Sequence, residues 1–174
     1  MSGTAISARA AELREAFDRS FAAPPRPDEG AAEDLLAIRI GGDPYAVRLS
    51  EIAGVHTDRK IVRVPGAPAA LLGIAGFRGA IVPVYGTRDL LGDPGPAGRW
   101  LMLAAAAPIA LSFELFEHHL RVPAGAVKPQ EAGGERRFVR ELVRTHSFVR
   151  PILHLAAIVA AVTPRPATAS REER

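Results

Sequence analysis

The groups in this chain that first suggest proton transfer or metal binding are its histidines, five in number, and the glutamates Glu114 and Glu117. His118 and His119 are adjacent. On a strand they would point to opposite faces, so they could not chelate one ion without distorting the backbone. The spacing predicts one solvated and one partly buried imidazole. His146 and His154 have no adjacent Asp or Glu to orient a ring, and no G-x-S-x-G elbow offers a serine nucleophile. Glu114 and Glu117 stand three apart in a β-like stretch, which also sends them to opposite faces and argues against a shared acid and base pair. Gly73, Gly76 and Gly79 form G-x-x-G-x-x-G, which is neither the dinucleotide fingerprint nor a phosphate loop, and the chain has no Gly-Lys dipeptide. Cysteine is absent, which removes disulfides, thiolate zinc sites, iron–sulfur clusters and cysteine nucleophiles together. The expectation is a protein with no catalytic residues, no metal and no cofactor, one that works by contact.

The residues suited to contact are arginines. The chain carries 22 basic against 19 acidic residues, a formal charge of +3, and its pI is near 9.9. Only Lys60 and Lys128 are lysines, so the high pI is an arginine effect and does not by itself mark a nucleic-acid binder. Arg136, Arg137, Arg140, Arg144 and Arg150 crowd the last third of the chain, and a β-barrel that binds nucleic acid would use such a stretch. Glu135 and Glu141 dilute it, and the interleaved Phe138 and Phe148 are expected to face the core, so a solvated strand face is the better expectation. Arg78 differs from these. It precedes Gly79 between two apolar runs, a pattern for a tight turn in which the glycine relaxes the backbone and the arginine stands exposed. A fork of donors on a stiff turn suits a partner's carboxylate or helix C-terminus.

The elements that would carry these residues are mostly strands. At 174 residues, 48% hydrophobic and 24% charged, the chain is globular in composition and long enough for a real core. Ile6, Ala10, Leu13, Phe17 and Phe21 fall on one helical stripe, which predicts an amphipathic helix over residues 1–21. Pro24, Pro25 and Pro27 then predict a flexible linker over 22–34. From Leu35 short apolar runs alternate with Gly, Pro and Asp, the pattern of an all-β domain over 35–162. Leu36 to Ile40 and Tyr45 to Leu49 flank Gly41-Gly42-Asp43 as a hairpin. Further strands are expected at Ile61–Val64, Gly73–Phe77, Ala80–Tyr85, Trp100–Ala105, Ile109–Phe113, Phe116–Val122, Phe138–Thr145 and Phe148–Leu153. Short helices are expected at Ala69–Leu72, Thr87–Leu91 and His154–Ala161. Residues 163–174 read as a disordered tail. Leu101 to Leu111, broken by Pro108, is far short of the roughly 20 residues that cross a membrane. Charges throughout the first 20 positions argue against a secretory signal, so a cytoplasmic protein with no direct membrane insertion is expected.

Residues 35 to 92 resemble the CheW family, the adaptor domain of bacterial chemosensory arrays. Gly42-Asp43-Pro44-Tyr45-Ala46-Val47 is similar to the family's first hairpin, and Val64-Pro65-Gly66-Ala67-Pro68 to its V-P-x-A-P turn. Leu72 to Val84, with Gly73, Phe77-Arg78-Gly79 and Pro83, follows its x-G-V-x-N-L-R-G-x-I-x-P-V signature, which Arg88 and Leu90-Leu91-Gly92 close. Weaker similarity runs through Ile109–Pro123 and Phe138–Val159. The resemblance implies two interlocked five-stranded β-barrels with short helices, here added to an N-terminal helix on a proline-rich linker. It implies a non-enzymatic scaffold that couples the signalling tip of a methyl-accepting chemoreceptor to the regulatory domain of a CheA-type histidine kinase, in arrays at the inner face of the membrane. The implied partner-binding residues are Ile52, Gly73, Phe77, Arg78, Gly79 and Arg88. This sequence departs from the family where Gly76 replaces Asn, Phe77 replaces Leu, Gly54 replaces Glu and Glu141 replaces Gly. Polar positions have drifted further than scaffold positions. An assembly or localisation factor that has lost one docking surface is the alternative these departures raise, with nucleic-acid binding through Arg136–Arg150 a more distant one.

Overall fold

The computed structural model describes residues 31–130 and 136–163. Within these residues eleven strands, two short α-helices and two 3-10 segments follow one another. The first hairpin pairs β1 (Ala32–Ile40) with β2 (Asp43–Arg48), Ile40 facing Asp43 across Gly41 and Gly42, both with positive φ. A 3-10 segment at Leu49–Glu51 leads into β3 (Ile52–Thr57). A long loop then reaches the second hairpin, β4 (Leu71–Phe77) and β5 (Ala80–Gly86). Helix α1 (Thr87–Leu91), capped by left-handed Gly92, precedes β6 (Trp100–Ala104), β7 (Ala110–Phe113) and β8 (Leu115–Pro123). Next come a 3-10 segment (Ala124–Ala126), β9 (Val127–Pro129), β10 (Val139–Arg144), β11 (Val149–Leu153) and α2 (Leu155–Val162).

These strands form two sheets, one of six in the order β8-β1-β2-β11-β10-β9 and one of five in the order β3-β6-β7-β5-β4. The five-stranded sheet is continuous in sequence, and the six-stranded sheet is assembled from the segments on either side of it. Each wraps a core of its own. Ala75, Phe77, Val82, Val84, Leu101 and Ala110 fill the five-stranded sheet, and Leu35, Ala46, Val122, Val143 and Ile152 the other. A larger third core, including Ile38, Met102, Leu111, Phe113, Leu153 and Ile158, takes residues from both sheets and both helices. Alternation along each strand feeds these layers: in β1, Leu35 enters the sheet's own core while Leu36, Ile38 and Ile40 enter the shared one. The all-β class and the two-unit architecture are those expected from the sequence, with one additional short strand, β9, in the six-stranded sheet.

Local expectations fared unevenly. Ile61–Val64 is not a strand: only Val62 bridges to Ile74, before Pro65 and Gly66 turn the chain away. Ala69–Leu72 is not a helix but a turn that runs into β4. β3, which no alternation announced, is a full edge strand. The expected N-terminal helix lies outside the described residues, as do most of the linker and all but the first residue of the tail. β1 begins at Ala32, inside the span read as linker.

Candidate partner-docking surface

The β4–β5 hairpin is closed by two residues. Phe77 pairs with Ala80, and Arg78 and Gly79 between them have φ of 47° and 87°. Positive φ at both central positions is the type I′ turn that matches strand twist, and it accepts Gly readily but other residues reluctantly. Sequence reading assigned the backbone freedom to Gly79 alone; in fact Arg78 shares it. A bulky residue held in that conformation is mildly strained, and such positions concentrate at functional sites. Arg78 is exposed and makes no hydrogen bond or ion pair with any described residue.

One face of the hairpin is buried and the other is not. Ala75, Phe77, Val82 and Val84 point into the sheet's core, whereas Gly76 and Ile81, paired across the hairpin, point out, Ile81 at 74% exposure. Pro83 fits this arrangement because of where its missing N–H would go. Ile74, opposite it, exchanges both backbone hydrogen bonds with Val62, at 2.8 and 2.9 Å. Pro83 therefore turns its nitrogen toward β7, which joins β5 only from Val84 onward, so no ladder bond is lost. β4 is a sheet edge, covered only by the Val62 bridge. With Val62 at 52% and Val64 at 40% exposure, the loop before β4 extends the apolar surface. A shallow groove of about 440 Å³ opens between that loop and Ala97, lined by Ile61, Arg63, Val64, Pro68 and Leu72.

The other residues expected to meet a partner are placed differently. Phe77 is 4% exposed, a core residue whose ring packs against His56 at 5.0 Å. Gly73 is buried with φ of 147°, and a Cβ there would lie 2.2 Å from the Val62 carbonyl oxygen. It is required by the close approach of the preceding loop. Ile52 is half-buried against the shared core. Arg88 is committed inside the chain: its Nε and Nη2 donate to Asp93 Oδ2 at 3.1 and 2.7 Å, its Nε also donates to the Asp93 carbonyl, and it lies 3.8 Å from Glu114 Oε1. Of the six, only Arg78 and Gly79 are presented to solvent. The side chains of Phe77 and Arg88 hold the surface in place and do not face outward.

The basic stretch near the C-terminus is also spoken for in part. Arg150, 11% exposed, pairs with Glu117; Arg136 lies over the Tyr45 ring, and Arg137 donates to the Leu90 carbonyl. Arg140 and Arg144 remain exposed. Phe138 and Phe148 are half-buried against the cores, as expected. Glu117 also accepts from Arg39 Nε at 2.7 Å, so it clamps β8 to both β1 and β11. Partial burial pushes its carboxyl up, but the two guanidiniums outweigh this and hold it below the usual carboxylate range. Glu114 and Glu117 thus serve separate arginines and share no site.

His118 and His119 are both exposed, so neither is the partly buried imidazole expected from their spacing; His119 Nε2 lies 2.8 Å from Asp34 Oδ1. His154 caps α2, its Nδ1 accepting from the Ala157 N–H at 3.2 Å. Among the described residues no three His, Cys, Asp or Glu come together to hold a metal. No described helix is long and apolar enough to cross a membrane. One residue sequence reading passed over is His56, on β3, which stands beside Arg59, Phe77 and Arg78.

The chain folds as a two-sheet β domain with an exposed arginine, unpaired with any described residue, on a strained hairpin turn. Comparison with known proteins gives the class a name: the family model for the CheW-like domain matches residues 34–163. The chain belongs to the CheW-like family. It is 27% identical over 62 residues to the chemotaxis protein CheW of Bacillus subtilis (strain 168), a match that covers 36% of this chain and 40% of that relative's length. Its fold is similar to the crystal structure of the scaffolding protein TtCheW from Thermoanaerobacter tengcongensis, with a TM-score of 0.65 at 16% identity over 70% of this chain and 88% of the other.

Proposed function

We propose that this chain is a non-enzymatic adaptor that couples a chemoreceptor's signalling tip to the regulatory domain of a CheA-type histidine kinase, and that the Arg78 turn is one of its docking surfaces. The reading rests on family membership and on one observation: Arg78 is exposed, unpaired and held at positive φ at the tip of the hairpin that carries the family signature. A left-handed arginine that stabilised the fold would be expected to spend its donors inside it, as Arg88 does. The exposed Ile81 on the same hairpin, and Val62 bridged to Ile74 farther down it, supply apolar area that a lone charge contact lacks.

The test is direct binding with purified components, namely the full chain, the kinase regulatory domain and a chemoreceptor signalling-tip hairpin, all from the same cell. Wild-type chain should bind both, and Arg78→Glu should lose one of them while its melting temperature is unchanged. Equal binding of both by the variant would remove Arg78 from the interface. Binding of one partner only by the wild type would favour an assembly factor that has lost a docking surface.

A further inference from the structure

Two basic side chains, Arg59 and His56, meet on the Phe77 ring. Arg59 places its guanidinium carbon 5.8 Å from the ring centroid, and His56 stacks obliquely on the ring at 5.0 Å. Arg78, one residue along from Phe77, is close enough for its charge to act on His56. Among the described residues the cluster has no counter-charge. The acid nearest in sequence, Asp58, is taken by Arg99 Nη2 at 2.7 Å and by the Thr57 hydroxyl at 2.9 Å. Leu101, across the sheet from His56, is apolar. Only positive charges, Arg59 and Arg78, act on the imidazole. Gly54 gives the ring its room, since a Cβ at that position would lie 3.3 Å from His56 Nε2.

Two unpartnered guanidiniums beside an imidazole that they keep from charging are a cost to the folded chain unless something outside it answers them. We propose that His56, Arg59 and Arg78 form a carboxylate-binding subsite that receives an acidic side chain of the docked partner. The inference rests on the Arg78 turn being a docking surface and adds the chemistry of what docks there. Phe77 contributes a dry floor under the Arg59 guanidinium, where an ion pair is worth more than in open water. A carboxylate fits better than a neutral acceptor because two exposed arginine forks can each give it a charge-assisted hydrogen bond.

The subsite has a signature that a simple arginine contact lacks. In the free chain, desolvation first and then the charges of Arg59 and Arg78 hold the His56 imidazole below its usual range. A bound carboxylate cancels that repulsion and favours the imidazolium. Docking then takes up a proton, and by linkage it must tighten as pH falls.

Two measurements on the full chain test this. The first follows the histidine rings by NMR through a pH titration in sodium acetate and in sodium chloride at equal ionic strength. His56 should titrate at higher pH in acetate, His146 should not respond, and Arg59→Gln or Arg78→Asn should abolish the difference. Identical His56 curves in the two salts would overturn the subsite without reference to any partner. The second measures binding of the receptor signalling-tip hairpin at about pH 5.5 and about pH 7.5. A gain of several-fold at the lower pH, below the ceiling of about tenfold for a one-unit rise in the bound His56 pKa, should appear in the wild type and vanish in His56→Gln. Binding with the same pH profile in both proteins would overturn the subsite and leave the adaptor reading standing. An acetate response with no hairpin binding at either pH would support the subsite and overturn the receptor reading.

Discussion

Arg78 and Arg88 belong to the same signature, ten positions apart, and the fold treats them in opposite ways. Arg88 sits behind the hairpin with its donors spent on Asp93 and its charge turned toward Glu114, whose two carboxylate oxygens are buried without a hydrogen bond. Arg78 sits at the tip with its donors unspent and its backbone in a conformation that arginine does not prefer. The difference teaches that a motif fixes where a residue stands along the chain, whereas the supply of acceptors around it decides whether it holds the structure or faces a partner. Arg88 has carboxylates within reach; Arg78 pairs with no described residue, and its charge is felt by His56.

The comparison can be broken from the structural side first. Gly73→Ala should destabilise most, by ~4 kcal/mol, because a methyl group would collide with the Val62 carbonyl that pins the preceding loop. Failure to fold, or a very low melting temperature, is the expected result. Near-normal melting would show that the loop is free to move and that Gly73 is available to a partner after all. Glu117→Leu should cost ~3 kcal/mol, because it leaves Arg150 buried and unpaired. Its acid response carries a sign. The Glu117 carboxyl is held low in the folded chain, so its contribution is complete above the unfolded carboxylate range and is lost as pH falls through the folded value. Urea titrations should therefore show wild-type stability dropping at acid pH, with a shallower drop in Glu117→Gln.

Two smaller effects sharpen the contrast between the arginines themselves. Arg88→Ala should cost ~2 kcal/mol and lower the melting temperature by about 4–8 °C, through the stranded Glu114 carboxylate. Adding Glu114→Gln should recover part of that loss. Arg78→Asn should do the reverse, raising stability by ~0.5 kcal/mol, since Asn-Gly is a preferred type I′ pair. A stabilising substitution that also weakens docking would mark Arg78 as a residue kept for recognition at the expense of the fold. A loss of stability in Arg78→Asn would mean that the arginine holds the hairpin, and the two residues would then be alike.

Much of this was legible before the structure, and the misses have physical causes. The β1–β2 and β4–β5 hairpins were visible because strong turn residues separate clean alternations, and α1 because Gly92 follows it as a left-handed cap. β3 was missed because Gly54 and His56 interrupt its pattern, and as an edge strand it buries little. β9 is three residues long and pairs only with β10. The exposed Arg78 was readable from its Arg-Gly step. The captivity of Arg88 was not, because Asp93 reaches it only once left-handed Gly92 turns the chain back after α1. Phe77 looked like part of a surface because it adjoins Arg78, yet strand alternation sends neighbours to opposite sides. His56 lies in no motif, and its grouping with Arg78 exists only once β3 and β4 occupy one sheet. The nearest hint in sequence was the replacement of the family's Glu by Gly54, which opens the space the ring uses.

The nesting of one sheet inside the other sets an order of events during synthesis. All strands of the five-stranded sheet lie between Ile52 and Phe113, so that sheet has its full complement of partners while the rest of the chain is still on the ribosome. The β1–β2 hairpin leaves the ribosome earlier but must wait for β8 on one side and β11 on the other, and until they arrive Leu35 and Ala46 have no core to enter. During that interval the first hairpin is a pair of unprotected edges, and it depends on the completed sheet, through Leu36, Ile38 and Ile40, for shelter from other nascent chains.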